Sequence, residues 1–384
     1  MRIVLAQNMP HVPTYGGANR SNRIMLEHLA ARGHDCTVVA PMHVTRAELD
    51  RRLAGYAVDD ARVDGDTVSF ELNGVRVRAV LVPQRLVREV RRCVAAVGPD
   101  RVLVPSDDPG AMMLGASLVA APDRVVYLAH TVQQLPFGPA SFHPSPAATR
   151  LVHRCAAVVA VSRTVQDHLR RWGGLDSALM YPAVYGDGPY PLAEGDAVTM
   201  VNPCAYKGIE IFLGLADAFP HVPFLAVPTW GTTGADLGSL RQRPNIELMA
   251  ATDDIGRVFA RTRVLAMPSL WDETFGYTAV EAMLRGVPVL AARIGGLPEA
   301  MLGVPHLLPV TRISRYDDDG GRPVPEVPAQ DLEPWIRTLS RVLTDDAHRG
   351  ELRRSARQAA GDFVASLDPD ALENLLRREA ATTR

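Results

Sequence analysis

Glu273 and Glu281 bracket the start of a helical pattern in Pro268-Ser-Leu-Trp-Asp-Glu273-Thr-Phe-Gly276-Tyr-Thr-Ala-Val-Glu281. The apolar run Val264 to Met267 just before them reads as a buried strand, and helical period runs from about Gly276 to Leu284. A helix that opens beyond a parallel strand carries free N–H groups and a positive dipole end, which suit a phosphate or sugar oxygen. Gly276 lacks a Cβ, so a ligand can come close to the backbone there. Glu281 lies about a turn and a half into the helix, where it can point back beside those N–H groups. Two carboxylates around a helix start suit a ligand rich in hydroxyls, such as a sugar and a ribose. A capped helix with one solvated glutamate has the same spacing, so spacing alone leaves both open.

A second signal is a residue count. Lys and Arg total 41, yet Lys207 is the single lysine. A GC-rich genome favours arginine codons, so the surviving lysine is either chance or the mark of a place where a compact ammonium serves better than a planar fork. In Tyr206-Lys207-Gly208 it opens a helix after the strand Val198 to Val201. His130 ends another apolar run, Val125 to Ala129, and ligands of open parallel sheets bind at the carboxyl ends of strands. Asp317-Asp318-Asp319-Gly320-Gly321 lacks EF-hand spacing and reads as a solvated loop after the last strand. In the basic helix Arg85 to Val94, Leu86, Val87, Val90 and Val94 are expected to face a sheet rather than a membrane.

These residues need a scaffold, and short apolar runs alternate with helical periods to provide one. Ile3–Ala6, Cys36–Ala40, 101–105, 124–129 and 157–161 read as strands, and Ile24, Leu26, Leu29 and Ala30 as a helix stripe closed by Gly33. Thr67 to Leu72, Asn73-Gly74 and Val75 to Val82 read as a hairpin. Proline and glycine crowd residues 181–195, which read as a linker. A second alternation follows, with strands at 198–201, 223–227, 245–248, 264–267 and 287–291. After Asp331 the period is helical, with Leu332, Trp335, Ile336, Leu339 and Leu343 on one stripe. The expected fold is α/β: two Rossmann-like, doubly wound domains facing each other across a cleft. The expected boundaries are 1–183, a linker at 184–196, a second domain at 197–365, and a C-terminal helix at 366–384 packing back toward the first domain.

Composition narrows the function classes. The chain has 384 residues, 47% hydrophobic and 22% charged, with 43 acidic against 41 basic residues and a net charge of −2. That balance argues against a nucleic-acid partner. Cys36, Cys93, Cys155 and Cys204 form no CxxC pair, so neither a disulfide framework nor a metal site is expected. No apolar stretch approaches a bilayer span and no signal peptide is visible, which predicts a cytoplasmic protein with no membrane contact. No G-x-G-x-x-G follows a strand, which disfavours a dinucleotide oxidoreductase.

The pattern Glu273-x(7)-Glu281, with Gly286-Val-Pro288-Val and Gly295-Gly296-Leu-Pro298-Glu299, resembles the retaining nucleotide-sugar glycosyltransferases of family 4, which have the GT-B fold. Tyr15-Gly16-Gly17, Arg32-Gly33-His34 and Ala157 to Ser162 extend the resemblance over most of the chain. It implies transfer from a nucleotide diphosphate sugar, UDP-linked, to a small hydroxylated acceptor, without metal or other cofactor. The arginine-rich composition associates the acceptor with secondary metabolism. By resemblance, His130, Lys207 and Glu273 are the catalytic group: Glu273 on the hydroxyls of the donor sugar, Lys207 on the diphosphate, and His130 near the sugar. Gly17, Asn202, Thr274, Phe275, Gly276, Tyr277 and Glu281 complete the donor site, with Glu281 on the ribose and the backbone near Phe275 and Gly276 on the diphosphate. Gly16, Asn19, Arg20 and Gln133 fall to the acceptor, with loop 131–143 as its wall. Asn202 departs from the family, which has an arginine five residues before the lysine. Two alternatives stay open: a GT-B sugar phosphorylase with pyridoxal phosphate on Lys207, and a catalytically weak partner subunit, prompted by Asn202.

Overall fold

The computed structural model describes every residue except Tyr15, His43, Thr45, Asp59, Asp253, Gly320, Gly321, Thr383 and Arg384, and leaves out the side chains of Arg46, Ala47, Arg52, Asp318, Asp319, Arg322 and 380–382. Tyr15 of the N-terminal motif and Gly320 and Gly321 of the acidic segment therefore lie outside the described residues. The chain divides into two compact units, Met1–Val184 with Asp368–Arg384, and Tyr185–Leu367.

Unit 1 is built on nine strands: β1 (Arg2–Ala6), β2 (Asp35–Pro41), β3 (Arg62–Asp64), β4 (Thr67–Leu72), β5 (Val75–Val80), β6 (Arg101–Pro105), β7 (Val125–Ala129), β8 (Ala157–Ala160) and β9 (Ala178–Leu179). Their order is β3-β4-β5-β2-β1-β6-β7-β8-β9, parallel except where β3, β4 and β5 pair. The helices are α1 (Gly16–Ala31), α2 (Arg46–Ala54), α3 (Leu86–Val97), α4 (Met112–Ala120), α5 (Pro146–Val152) and α6 (Arg163–His168). Alternate residues of β1 serve opposite cores. Ile3 and Leu5 pack with Leu26 and Leu29 of α1, while Val4 and Ala6 pack with Val90 and Val94 of α3. Each of the valines, leucines and isoleucine contributes ~1.5–3 kcal/mol by burial, so the central strands are held from both faces.

Local chemistry explains the junctions. Asn73 and Gly74 both have positive φ, 50° and 75°, the two-residue turn that matches strand twist. α1 starts at Gly16, so Gly16 and Gly17, read from sequence as part of a preceding loop, form its first turn. On α3, Leu86, Val90, Cys93 and Val94 are buried, and buried Glu89 is neutralised by Arg78 and Arg92.

Unit 2 carries β10 (Ala197–Val201), β11 (Phe224–Val227), β12 (Ile246–Leu248), β13 (Thr262–Met267), β14 (Val289–Ala292) and β15 (Leu307–Leu308) in a parallel sheet ordered β12-β11-β10-β13-β14-β15. Separately, β16 (Tyr316–Asp319) pairs antiparallel with β17 (Arg322–Pro325), so Asp317–Asp319 lie in a strand where a loop was expected, with Asp317 exposed as expected. Helices α7 (Ile209–Ala218), α8 (Gly234–Arg241), α9 (Ile255–Phe259), α10 (Tyr277–Leu284), α11 (Leu297–Ala300), α12 (Glu333–Thr344) and α13 (Asp346–Ala365) surround the sheet. On α12 the buried stripe is Trp335, Leu339 and Val342; Leu343 falls beside it. Residues 185–195 have no regular structure but are tied to this unit, with Arg353 and Arg357 donating to the carbonyls of Ala193 and Tyr190.

The last helix, α14 (Ala371–Thr382), belongs to unit 1. Its Leu372, Leu375 and Leu376 join the core around Ile3 and Leu29, and Glu373 bonds Arg32 and Arg377. Among the described residues no helix is long and apolar enough to cross a membrane.

Candidate functional site

In unit 2 the strand order reverses between β10 and β13. Chains leaving neighbouring strands at such a point run to opposite faces of the sheet and open a crevice beyond the carboxyl ends. The two loops that border it are 202–208 after β10 and 268–276 after β13. They are bound to each other: Leu270 N–H donates to the Tyr206 carbonyl at 2.9 Å. A Cβ on Gly208 would lie 2.0 Å from the Pro268 carbonyl oxygen, so only glycine permits this approach.

That contact brings Lys207 and Glu273 together. Lys207 Nζ pairs with Glu273 Oε1, which also accepts from Ser269 Oγ and, at 3.4 Å, from Trp271 Nε1. The ammonium lies 5.1 Å from the centre of the Trp271 ring, within cation–π range. Lys207 ends a short 3-10 turn, Ala205–Lys207, and α7 begins only after Gly208. The sequence reading placed the lysine on the helix itself; Gly208, at φ 76°, interrupts the turn before α7 starts.

The loop after β14 holds the backbone of Glu273 from the other side. Gly296 N–H donates to the Glu273 carbonyl at 2.7 Å. A Cβ on Gly295 would sit 2.4 Å from Glu273 N, and one on Gly296 2.3 Å from the Thr274 carbonyl oxygen. Gly276 is the N-cap of α10 at φ 112°, a conformation that side chains avoid. Phe275 is buried with its ring stacked on Phe363, so it offers a ligand only its backbone. Thr274 and Tyr277 are half-buried, and Glu281 is buried on α10.

Asn202 has a defined orientation. Its Oδ1 accepts from Gly231 N–H at 2.9 Å, and among the described residues the buried Nδ2 donor has no partner. A buried, unsatisfied donor costs ~1–3 kcal/mol, a cost that a ligand oxygen removes.

In unit 1 the strand order reverses between β1 and β6. Gly16 and Gly17 are exposed at the start of α1, and Asn19 is buried one turn on. Arg20 donates to the Val184 carbonyl at 3.3 Å, so part of its fork serves the chain's own backbone. Gln133 is buried, with its backbone carbonyl accepting from Phe142 N–H at 2.8 Å. Phe137 of loop 131–143 is buried and its ring stacks on His168, so it packs the unit's own interior.

His130 sits beyond β7 with its backbone N–H on Ser106 Oγ at 3.0 Å and its Nε2 on Asn22 Oδ1 at 2.7 Å. Burial lowers its pKa to about 4, so the ring is neutral near pH 7. Sequence reasoning missed Gln7, His11 and Asn22, all buried here. For Asn22 a signal existed: Asn19 and Asn22 fall in phase with Leu26 and Leu29 on the buried face of α1, where apolar residues belong. His11 left no such periodic signal, and among the described residues neither of its ring nitrogens has a partner.

Comparison with known proteins gives matches in family, sequence and fold. Residues 15–184 match the family described as Glycosyltransferase Family 4, and residues 202–310 that described as Glycosyl transferases group 1. A D-inositol 3-phosphate glycosyltransferase of Saccharomonospora viridis is 31% identical over 166 residues, 40% of this chain and 34% of its own length. The chain thus spans about a third of that relative. Among solved structures, Anabaena HepE in complex with UDP-glucose superposes with a TM-score of 0.69 at 18% identity, covering 100% of both chains. A Rickettsia africae glycosyltransferase gives 0.62 at 14% identity, covering 98% of each. At these identities the two structures show the shared GT-B fold.

Proposed function

The chain belongs to the family 4 glycosyltransferases, and from that premise we propose that it moves a sugar from a nucleotide diphosphate sugar to a hydroxyl of a small acceptor, keeping the anomeric configuration. The observation that carries this reading is the Lys207–Glu273 pair at the point where the unit 2 strand order reverses. A fixed cation and a fixed carboxylate side by side match a diphosphate next to a hydroxylated ring.

Each group then has work to do. The bond from the sugar's anomeric carbon to the diphosphate oxygen breaks as the bond to the acceptor oxygen forms on the same face. The acceptor's proton passes to the departing phosphate oxygen. Negative charge grows on the diphosphate, and Lys207, the N–H groups that open α10 and the Asn202 Nδ2 donor stabilise it. Glu273 orients the sugar by its hydroxyls, Glu281 holds the ribose, and the neutral His130 ring meets a substrate hydroxyl.

UDP is the first nucleotide to try, because HepE was solved with UDP-glucose. The relatives named D-inositol 3-phosphate glycosyltransferases make a phosphorylated polyol the first acceptor. Thermal unfolding of the protein against UDP, GDP, ADP and their sugars tests the reading, since a ligand of the folded state raises Tm with concentration. A rise with one nucleotide family, followed by an α-linked product from an α-linked donor in NMR spectra, is expected. No shift with any nucleotide contradicts it.

A further inference from the structure

We infer that Asn22 sets the tautomer of His130, so that Nε2 carries the proton and Nδ1 is left as an acceptor for a ligand hydroxyl. Asn22 is a positioning residue in this assignment.

The direction of each hydrogen bond follows from one fixed end. Gln7 Nε2 lies 2.8 Å from the Met9 carbonyl oxygen, which can only accept, so the amide nitrogen of Gln7 faces it. Gln7 Oε1 therefore faces Asn22, 3.4 Å from its Nδ2, which donates. Asn22 Oδ1 is then the atom turned to His130 Nε2 at 2.7 Å, and an amide oxygen can only accept. The proton must sit on Nε2.

Consequences follow for the other nitrogen. Burial disfavours a second proton, so Nδ1 carries a lone pair. Among the described residues Nδ1 has no partner, although His130 and Asn22 are each 2% exposed. Ser106 Oγ accepts from the backbone N–H groups of both His130 and Thr131, at 3.0 and 3.3 Å, which anchors the main chain that carries the ring, while the Asn22 bond at Nε2 orients the ring itself. Gln7 and Asn22, which orient the ring, follow β1, and Ser106, which holds the His130 backbone, follows β6, so all three stand where the unit 1 strand order reverses. Such a place is where an open sheet takes its ligand. A buried acceptor held there is matched by an O–H.

The ligand's identity rests on the glycosyl-transfer reading, but the tautomer does not. Nitrogen-15 NMR of histidine-labelled, ligand-free protein at pH 7 reads it directly, with His130→Asn identifying the signal by its loss. A protonated Nε2 and a bare Nδ1 are expected. A proton on Nδ1 in the wild-type protein overturns the assignment without touching the proposed activity. Asn22→Leu should give a mixed tautomer population and at least a tenfold loss of kcat/KM. If the donor KM moves, the hydroxyl is on the sugar; if the acceptor KM moves, it is on the acceptor. Unchanged values of both KM and kcat overturn the ligand contact.

Discussion

Lys207 and Glu273, 66 residues apart in the chain, share one ion pair on loops that leave the adjacent strands β10 and β13. Family resemblance assigns them separate tasks, on diphosphate and on sugar. The structure joins them, so each sets the other's position before any ligand arrives. Their side chains are only 19% and 11% exposed, which makes the pair less screened than a surface bridge. Pre-orienting both groups lowers the cost of arranging them during the reaction.

Asn202 should act as a diphosphate donor through Nδ2. Asn202→Asp keeps an oxygen for Gly231 N–H and tolerates the positive φ of 60°, but it removes the donor and adds a negative charge. UDP affinity should fall about tenfold or more, equivalent to ~1.4 kcal/mol, with little change in Tm. Titration calorimetry giving the wild-type Kd for this variant would remove Asn202 from the phosphate site.

Gly296 carries the loop of Glu273. Gly296→Ala places a methyl 2.3 Å from the Thr274 carbonyl oxygen, against backbone that cannot swing away as a side chain would. Overpacking of this kind costs ~1–3 kcal/mol. The expected result is a Tm lowered by several degrees together with weaker binding of the nucleotide sugar. A variant as stable and as tightly binding as wild type would show that the loop after β14 does not hold the Glu273 backbone.

Stability should decline on mild acidification. Burial, chiefly, lowers the pKa of His11 to about 3, of His130 to about 4 and of His306 to about 4, all below the usual 6.5. The unfolded chain binds these protons from pH 6.5 downward while the folded chain does not, so stability falls as pH drops from 6.5 toward 4. Each group adds a slope of at most ~1.4 kcal/mol per pH unit in that window. Urea unfolding at several pH values measures it, and His11→Phe should flatten the dependence. A slope unaltered in that variant would mean His11 takes up its proton in the folded state.

Much of this was legible in the sequence because it is written in local patterns. Short apolar runs gave the buried parallel strands, Asn73-Gly74 the hairpin turn, and the lone lysine and the glutamate pair marked the loops after β10 and β13. What escaped depends on contacts between distant segments. No spacing rule couples Lys207 to Glu273, or Gly295 and Gly296 to the backbone of Glu273 and Thr274. Gln7, Asn22 and His130 come from three stretches of chain, and only the order β1-β6-β7 makes them neighbours. The two-residue β15 and the β16–β17 pair were missed because neither carries an apolar alternation long enough to read.

The most direct measurement is turnover of the nucleotide sugar by Lys207→Ala, with wild type and Lys207→Arg beside it. The diphosphate gains charge as its bond to the sugar breaks, so a fixed ammonium stabilises the transition state more than the bound donor. Its loss should cost on the order of 3 kcal/mol, a fall of about 100-fold in kcat, while circular dichroism shows the fold retained. Arginine should restore only part of the rate, since its planar fork cannot replace a compact ammonium between Glu273 and Trp271. An alanine variant that turns over within about threefold of wild type would contradict the account, because Lys207 would then be a partner of Glu273 and nothing more.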